Sequence, residues 1–357
     1  MPTTICRHRF AVDLFRRDGT ALARCPAVPD WEPAVEWARY EGLRRGLVTA
    51  GADPHIDPSW HPTEGEPYVV GFGVHLDTPE GRTVQSHFPI TYFESIAREA
   101  SAELVHQGRL EEGEQFLFTA SAYVGEAFAS EDVGTRVRAE EASPPVPLRE
   151  GRLEEVMALA SPVNDVGGGV PPVVLPSDVL DEACTIALEA APDEAGGILI
   201  GHLYRDREAE SIFAVITAQV PATRVHADTT SLTFTADTWA DVRAAIALRD
   251  RQEMMLGWFH SHPVRDWCGD ESGNQESREM LAEIFSHRDR AVHRTVFSQP
   301  WAVALVISEI AEGDQRPAMW GWRGGRLVRR GFHLIHKPEG RERWHANVST
   351  TSSPAQS

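Results

Sequence analysis

The run Met254 to Phe259 is short and mostly apolar, and it leads into His260-Ser261-His262-Pro263. A proline cannot donate to a ladder, so Pro263 marks the end of what the pattern predicts to be a buried strand. On a strand, residues two apart share a face. His260 and His262 therefore present both imidazoles on one side, with Ser261 on the other. Two neutral imidazoles held by a stiff element make the first half of a zinc site. On these residues alone, a pair of satisfied or exposed histidines is the commoner explanation.

Two further segments bear on the choice. Downstream, Ser286-His287-Arg288-Asp289 opens a stretch that reads as a helix to about Arg294. Ser at the N-cap with an acidic residue three positions on has the form of a capping box. The same Asp289 can also be a third ligand, because a carboxylate in the first helical turn reaches a metal on a neighbouring strand. Three protein ligands then leave the fourth position open. Upstream, Glu194 stands just before the Gly-rich apolar strand Gly196 to Gly201, where it is either a functional carboxylate or a solvated turn acid beside Asp193.

Glu, then His-Ser-His-Pro, then Ser-x-x-Asp, in that order, resembles the JAB/MPN (JAMM) metalloprotease family. The resemblance covers about Pro176 to Ile335. It implies a mixed, curved β-sheet flanked by helices, an α/β fold, for the C-terminal part of the chain. Members of the family usually have few residues between the His-Pro and the Ser-x-x-Asp, whereas here Val264 to Phe285 intervene. This stretch reads as an insertion. Its acidic residues give a solvated loop with a helical turn near Gln275 to Ile284, or a flap beside the site. Asp266 and Asp270 inside it are rivals to Asp289 for the third ligand position. His226, His287 and His293 read as structural or surface residues.

With 357 residues, the chain has the length of about two domains. Residues 1–127 read as an N-terminal α+β domain: a hairpin across Asp18-Gly19, a helix from near Pro33, and a strand from Tyr68 to Leu76. A helix capped by Thr91 with Glu94 and a strand from Glu114 to Tyr123 follow. No catalytic pattern is recognisable there, and His55, His61 and His75 read as surface or satisfied residues. Residues 128–175, with Ser143-Pro-Pro-Val-Pro-Leu148 and Val166-Gly-Gly-Gly-Val-Pro-Pro172, read as a Pro/Gly-rich linker around a short helix. The metalloprotease-like domain occupies 176–336, beginning with a helix from Ser177. Residues 337–357 read as a disordered tail.

The formal charge of −19 argues against nucleic acid as a partner, since that affinity depends on basic residues neutralising phosphates. The four cysteines form no C-x-x-C pair, which excludes an all-cysteine zinc site and points to reduced thiols. No signal-peptide core or membrane-length apolar stretch is present, so the expected localisation is cytoplasmic with no membrane partner.

The resemblance implies a function for each candidate. Zn2+ held by His260, His262 and Asp289 would lower the pKa of its water to about 7. Glu194 would be the general base, and the Ser286 hydroxyl would stabilise the oxyanion or serve as the helix cap. The implied activity is cleavage after the C-terminus of a ubiquitin-like protein, in deconjugation or precursor processing. The setting would be a bacterial conjugation pathway, in some cases antiviral, with activating and conjugating enzymes as further partners. Two alternatives stay open: an inactive MPN scaffold, and a hydrolase acting on a sulfur-carrier protein.

Overall fold

The computed structural model describes residues 5–47, 54–61, 68–77, 81–124, 146–222, 225–228, 231–268 and 275–336. By backbone packing the chain divides into two compact units. One is Met1–Pro145 with Gly324–Arg326, and the other is Val146–Arg323 with Leu327–Ser357.

In the first unit, strands β1 (Ile5–Cys6), β2 (His8–Arg16) and β3 (Ala21–Ala27) precede helix α1 (Glu32–Arg44). Strands β4 (Pro54–His61), β5 (Tyr68–Asp77) and β6 (Thr83–Pro89) follow, then helix α2 (Glu94–His106) and strand β7 (Phe116–Val124). They form a seven-stranded sheet in the order β1-β4-β5-β7-β2-β3, with β6 also on β5. The β2–β3 hairpin turns where Asp18-Gly19 predicts it. Gly19 adopts φ +86°, a conformation that costs glycine little. Phe10, Val12 and Leu14 share one face of β2 and pack with Phe72, Val74 and Leu76 of β5 and with Ala97 and Leu104 of α2.

The capping box expected at Thr91 does not form. Ile90–Phe93 make a 3-10 turn, and α2 starts only at Glu94, with Phe93 at its cap and no side-chain cap bond. The S/T-x-x-E pattern is satisfied in sequence, but the apolar Phe93 is pulled into the core and the helix begins after it.

In the second unit, β8 (Leu148–Glu150), helix α3 (Leu153–Met157), β9 (Ala160–Val163) and β10 (Val173–Pro176) come first. Then follow α4 (Ser177–Ala190), β11 (Gly196–Asp206), β12 (Ser211–Pro221), the small hairpin β13 (Val225–Asp228) and β14 (Ser231–Phe234), and α5 (Ala236–Arg249). The histidine strand is β15 (Met254–His262). After it come α6 (Val264–Cys268), α7 (Gln275–Ala282) and α8 (His287–Val296). The unit closes with β16 (Val303–Ala311), β17 (Asp314–Arg323), β18 (Arg326–Arg330) and β19 (Phe332–Ile335).

The mixed ten-stranded sheet runs β18-β17-β16-β15-β11-β12-β10-β19-β9, with β8 alongside β11. The sheet curls, because β18 is at one margin and β19 is second from the other, with Gly331 alone between them in the chain. The stretch Arg326 to Leu334 is thus divided between two strands, one at a margin of the sheet and the other next to the opposite margin. Gly331 has no room for a side chain: a Cβ there would sit 2.6 Å from the Val163 carbonyl oxygen and 2.7 Å from the Val166 nitrogen. Its N–H donates to the Asp165 carbonyl at 2.7 Å.

Residues 146–175 depart from the expected linker. β8, β9 and β10 are members of this sheet, and Val173, Val174 and Leu175 are wholly buried. Ser177 opens α4 rather than capping it, with Pro176 at the cap. The Phe128–Pro145 part of the expected linker, Asp270 and the tail from Lys337 lie outside the described residues. No helix among those described is long and apolar enough to cross a membrane.

Candidate metal centre

β15 carries Trp258, His260 and His262 on one face, all buried. It lies between β11, antiparallel, and β16, parallel, so its backbone is fixed from both sides. Gly196 of β11 stands opposite His260. The pairing continues past the strand end: the Ser261 N–H donates to the Ala195 carbonyl and the Ala195 N–H donates to Ser261 Oγ, each at 2.8 Å. Glu194 precedes Ala195 in the chain, so this tie fixes its backbone beside the end of the histidine strand. Glu194 is buried, so the reading of a solvated turn acid does not hold. The serine between the histidines thus ties the Glu194 segment to the histidine strand.

Asp289 arrives from α8. A capping box is present: the Asp289 N–H donates to Ser286 Oγ at 3.1 Å, and the Ser286 N–H donates to Asp289 Oδ2 at 2.7 Å. With Oδ2 engaged, Oδ1 is directed at the strand and lies 3.4 Å from His260 Nε2. His260 Nε2 and His262 Nε2 are 3.1 Å apart, and the ligand atoms of all three residues lie within 4.8 Å of one another. In a tetrahedral zinc site with bonds of about 2.0–2.1 Å, neighbouring ligand atoms stand about 3.3 Å apart. Two of the three separations bracket that value and the third is longer, within 4.8 Å, so the three residues are placed to hold a small divalent ion.

The protonation states suit the same use. Burial, then the neighbouring His260, push the His262 imidazole down to about 3, so it stays neutral with a lone pair to offer. Burial alone would raise the Asp289 carboxyl, but hydrogen bonds from His260 and Ser286 prevail and hold it well below the usual carboxylate range. A neutral imidazole and an anionic carboxylate, beside a second histidine, suit a common zinc donor set.

Other sequence candidates fall elsewhere. Asp266 is part-exposed beside Arg265 and is not one of the converging group. His287 is exposed on α8, whereas His293, expected as structural or surface, is wholly buried and accepts a hydrogen bond from Trp258 Nε1 at 3.2 Å. The signal for that pairing is Asp289 and His293 at helical spacing i,i+4 opposite Trp258 and His260 at strand spacing i,i+2.

The insertion differs from the expected solvated loop. Its described parts form two helices, α6 and α7, docked on β16 through a small core of Val264, Cys268, Ala282 and Ile310. Ser308 Oγ donates to the Ala282 carbonyl at 3.0 Å, and Arg265 pairs with the buried Glu309 at 3.0 Å. Trp267 of α6 lies against His262, ring centroids 5.2 Å apart.

Residues 176–265 match the family model described as prokaryotic homologs of the JAB domain. This segment of the second unit belongs to the JAB/MPN family. The match ends before α8, so it includes Glu194, His260 and His262 but not Ser286 or Asp289. Among solved structures, protein DSY2949 from Desulfitobacterium hafniense is similar over 48% of this chain and 99% of its own. The identity is 20% and the TM-score 0.29. No curated protein matches the chain.

Proposed function

We propose that the chain is a zinc-dependent hydrolase that cleaves the peptide or isopeptide bond after the C-terminus of a ubiquitin-like protein. The observation that carries this is the convergence of His260, His262 and Asp289; Glu194, next to the segment tied to the histidine strand, is buried. These three residues would hold Zn2+, which when bound supplies Lewis acidity and brings the pKa of a water down to about 7.

The chain's own groups divide the remaining work. Glu194, on the segment that Ser261 ties to the histidine strand, takes a proton from the attacking water and returns it to the leaving amine. Ser286 Oγ accepts the Asp289 N–H, and its O–H is the group that would stabilise the oxyanion. Capping and oxyanion stabilisation therefore draw on one hydroxyl, whose proton the Asp289 carboxylate also attracts. The low-dielectric surroundings strengthen each of these interactions.

The substrate class rests on the family: the partners are a ubiquitin-like protein and its conjugates, with cognate activating and conjugating enzymes. The test is Glu194→Gln in the full chain, assayed on a ubiquitin-like fusion alongside metal analysis. Cleavage should disappear while zinc content is kept, and full activity of this variant would remove Glu194 as the base. A second reading, an inactive MPN scaffold, draws support from the family match ending short of Asp289. Freshly purified wild-type protein with no zinc and no activity on any modifier or sulfur-carrier fusion would favour it.

A further inference from the structure

A metal-ligating imidazole usually donates its second N–H to a carboxylate or carbonyl, which fixes the ring. His260 Nδ1 has no hydrogen-bond partner among the described residues. What holds this ring is a face-to-face stack on Trp258, centroids 4.6 Å apart and planes 13° from parallel. Trp258 is held in turn, because its Nε1–H donates to His293 Nδ1 at 3.2 Å in a fully buried bond.

His293 lies one helical turn beyond Asp289 on α8. Two residues of strand advance about 6.6 Å, and four residues of helix rise about 6 Å. The spacings match, so Trp258–His293 and His260–Asp289 form two successive rungs between β15 and α8.

The indole N–H can only donate, so His293 Nδ1 accepts and the neutral ring carries its proton on Nε2. That Nε2 has no partner and sits among Phe285, Phe297 and Trp322. An unpaired buried N–H costs stability, and a phenyl ring of similar size would carry no such group. Packing alone gives no reason for a histidine here.

Resting on the metal-site reading above, we propose that Trp258 and His293 are positioning residues for the metal centre. The Trp258–His293 rung sets the height of α8 against β15 and the tilt of the His260 ring. Asp289 Oδ1 and His260 Nε2 then reach the same point without the usual hydrogen bond to His260 Nδ1. Neither residue belongs to the ligand group, and both act through the residues that do.

The experiment is zinc affinity of the full-length chain, by competition with a chromophoric chelator, together with the visible spectrum of the Co2+-loaded protein. His293→Phe keeps an aromatic ring but removes the acceptor, and is expected to lower zinc affinity roughly 10–100-fold and alter the Co2+ bands. It exchanges one unpaired buried N–H for another, so its thermal midpoint should stay within roughly 4–8 °C of wild type. His293→Gln offers a carbonyl to Trp258 and should restore affinity and spectrum. Should His293→Phe fail to fold, Trp258→Phe removes the donor from the strand side and should show the same loss. Wild-type affinity and spectrum in whichever of these two variants folds, or a loss in His293→Gln equal to that in His293→Phe, would overturn the inference while leaving the metal centre standing. A wild-type chain that takes up no zinc would overturn the metal-site reading, and this inference with it.

Discussion

Ser286 and Asp289 hold each other through two reciprocal hydrogen bonds, at 2.7 and 3.1 Å, and that grip decides which carboxylate oxygen faces the histidines. A feature that looks like ordinary helix capping is also what aims the third ligand.

Ser286→Ala separates these contributions. Loss of the cap should cost about 1 kcal/mol of stability, read by urea unfolding with chelator present. Loss of the hydroxyl donor should lower kcat by about 10²–10³. An activity loss no larger than the stability change explains would leave Ser286 as a cap only.

Asp289→Asn keeps a capping side chain but removes the anionic ligand. Zinc content after dialysis should fall sharply while the unfolding midpoint of the metal-free protein changes by less than about 1 kcal/mol. Zinc retained at wild-type stoichiometry would move the third ligand elsewhere.

Acid should destabilise the metal-free protein well before carboxylates titrate. Burial pushes His293 down to about 3, and burial together with Arg149 pushes His202 to about 4. Folded, these rings stay neutral; unfolded, they take a proton below their ordinary value of about 6.5. Their contribution is therefore full above that value and lost as pH falls, by up to about 1.4 kcal/mol per pH unit for each ring. Denaturant midpoints at pH 7.5, 6 and 5 measure the slope, and His293→Phe should flatten it. A midpoint that does not move between pH 7.5 and 5 would contradict the burial of these rings.

Ser308→Ala takes the hydroxyl donor from the buried Ala282 carbonyl, where α7 hands over to the Ser286 helix. The expected cost is about 1–3 kcal/mol, with faster limited proteolysis inside 264–285. An unchanged digestion pattern would show that the insertion is held by its apolar contacts alone.

Gly331→Ala puts a Cβ against three backbone atoms between 2.6 and 2.8 Å away. Strand displacement of that kind should cost at least about 1–3 kcal/mol, measurable as a lower melting temperature.

The site was more legible than the frame around it. His260 and His262 declare themselves by strand alternation into a proline, and Ser286 with Asp289 by helix-start chemistry. Both signals are local, and the structure forms both elements. The role of Leu148–Glu150, Ala160–Val163 and Val173–Pro176 was not legible, because three- and four-residue strands among Pro and Gly show too little periodicity to register. The division of Arg326–Leu334 at Gly331 depends on sheet closure, a property of distant strands. His293 escaped for the opposite reason: its helical spacing from Asp289 was visible, but its use depends on Trp258, which only tertiary packing brings to it.

The curled sheet has a practical corollary for anyone shortening this protein. A fragment trimmed to begin at Pro176, where the family match starts, would discard β8, β9 and nearly all of β10. It would leave β12 and β19 with bare hydrogen-bonding margins, the kind of surface through which chains stick to one another. The shortest well-behaved piece should therefore start upstream of Leu148, and clumping of anything shorter would say nothing about catalysis.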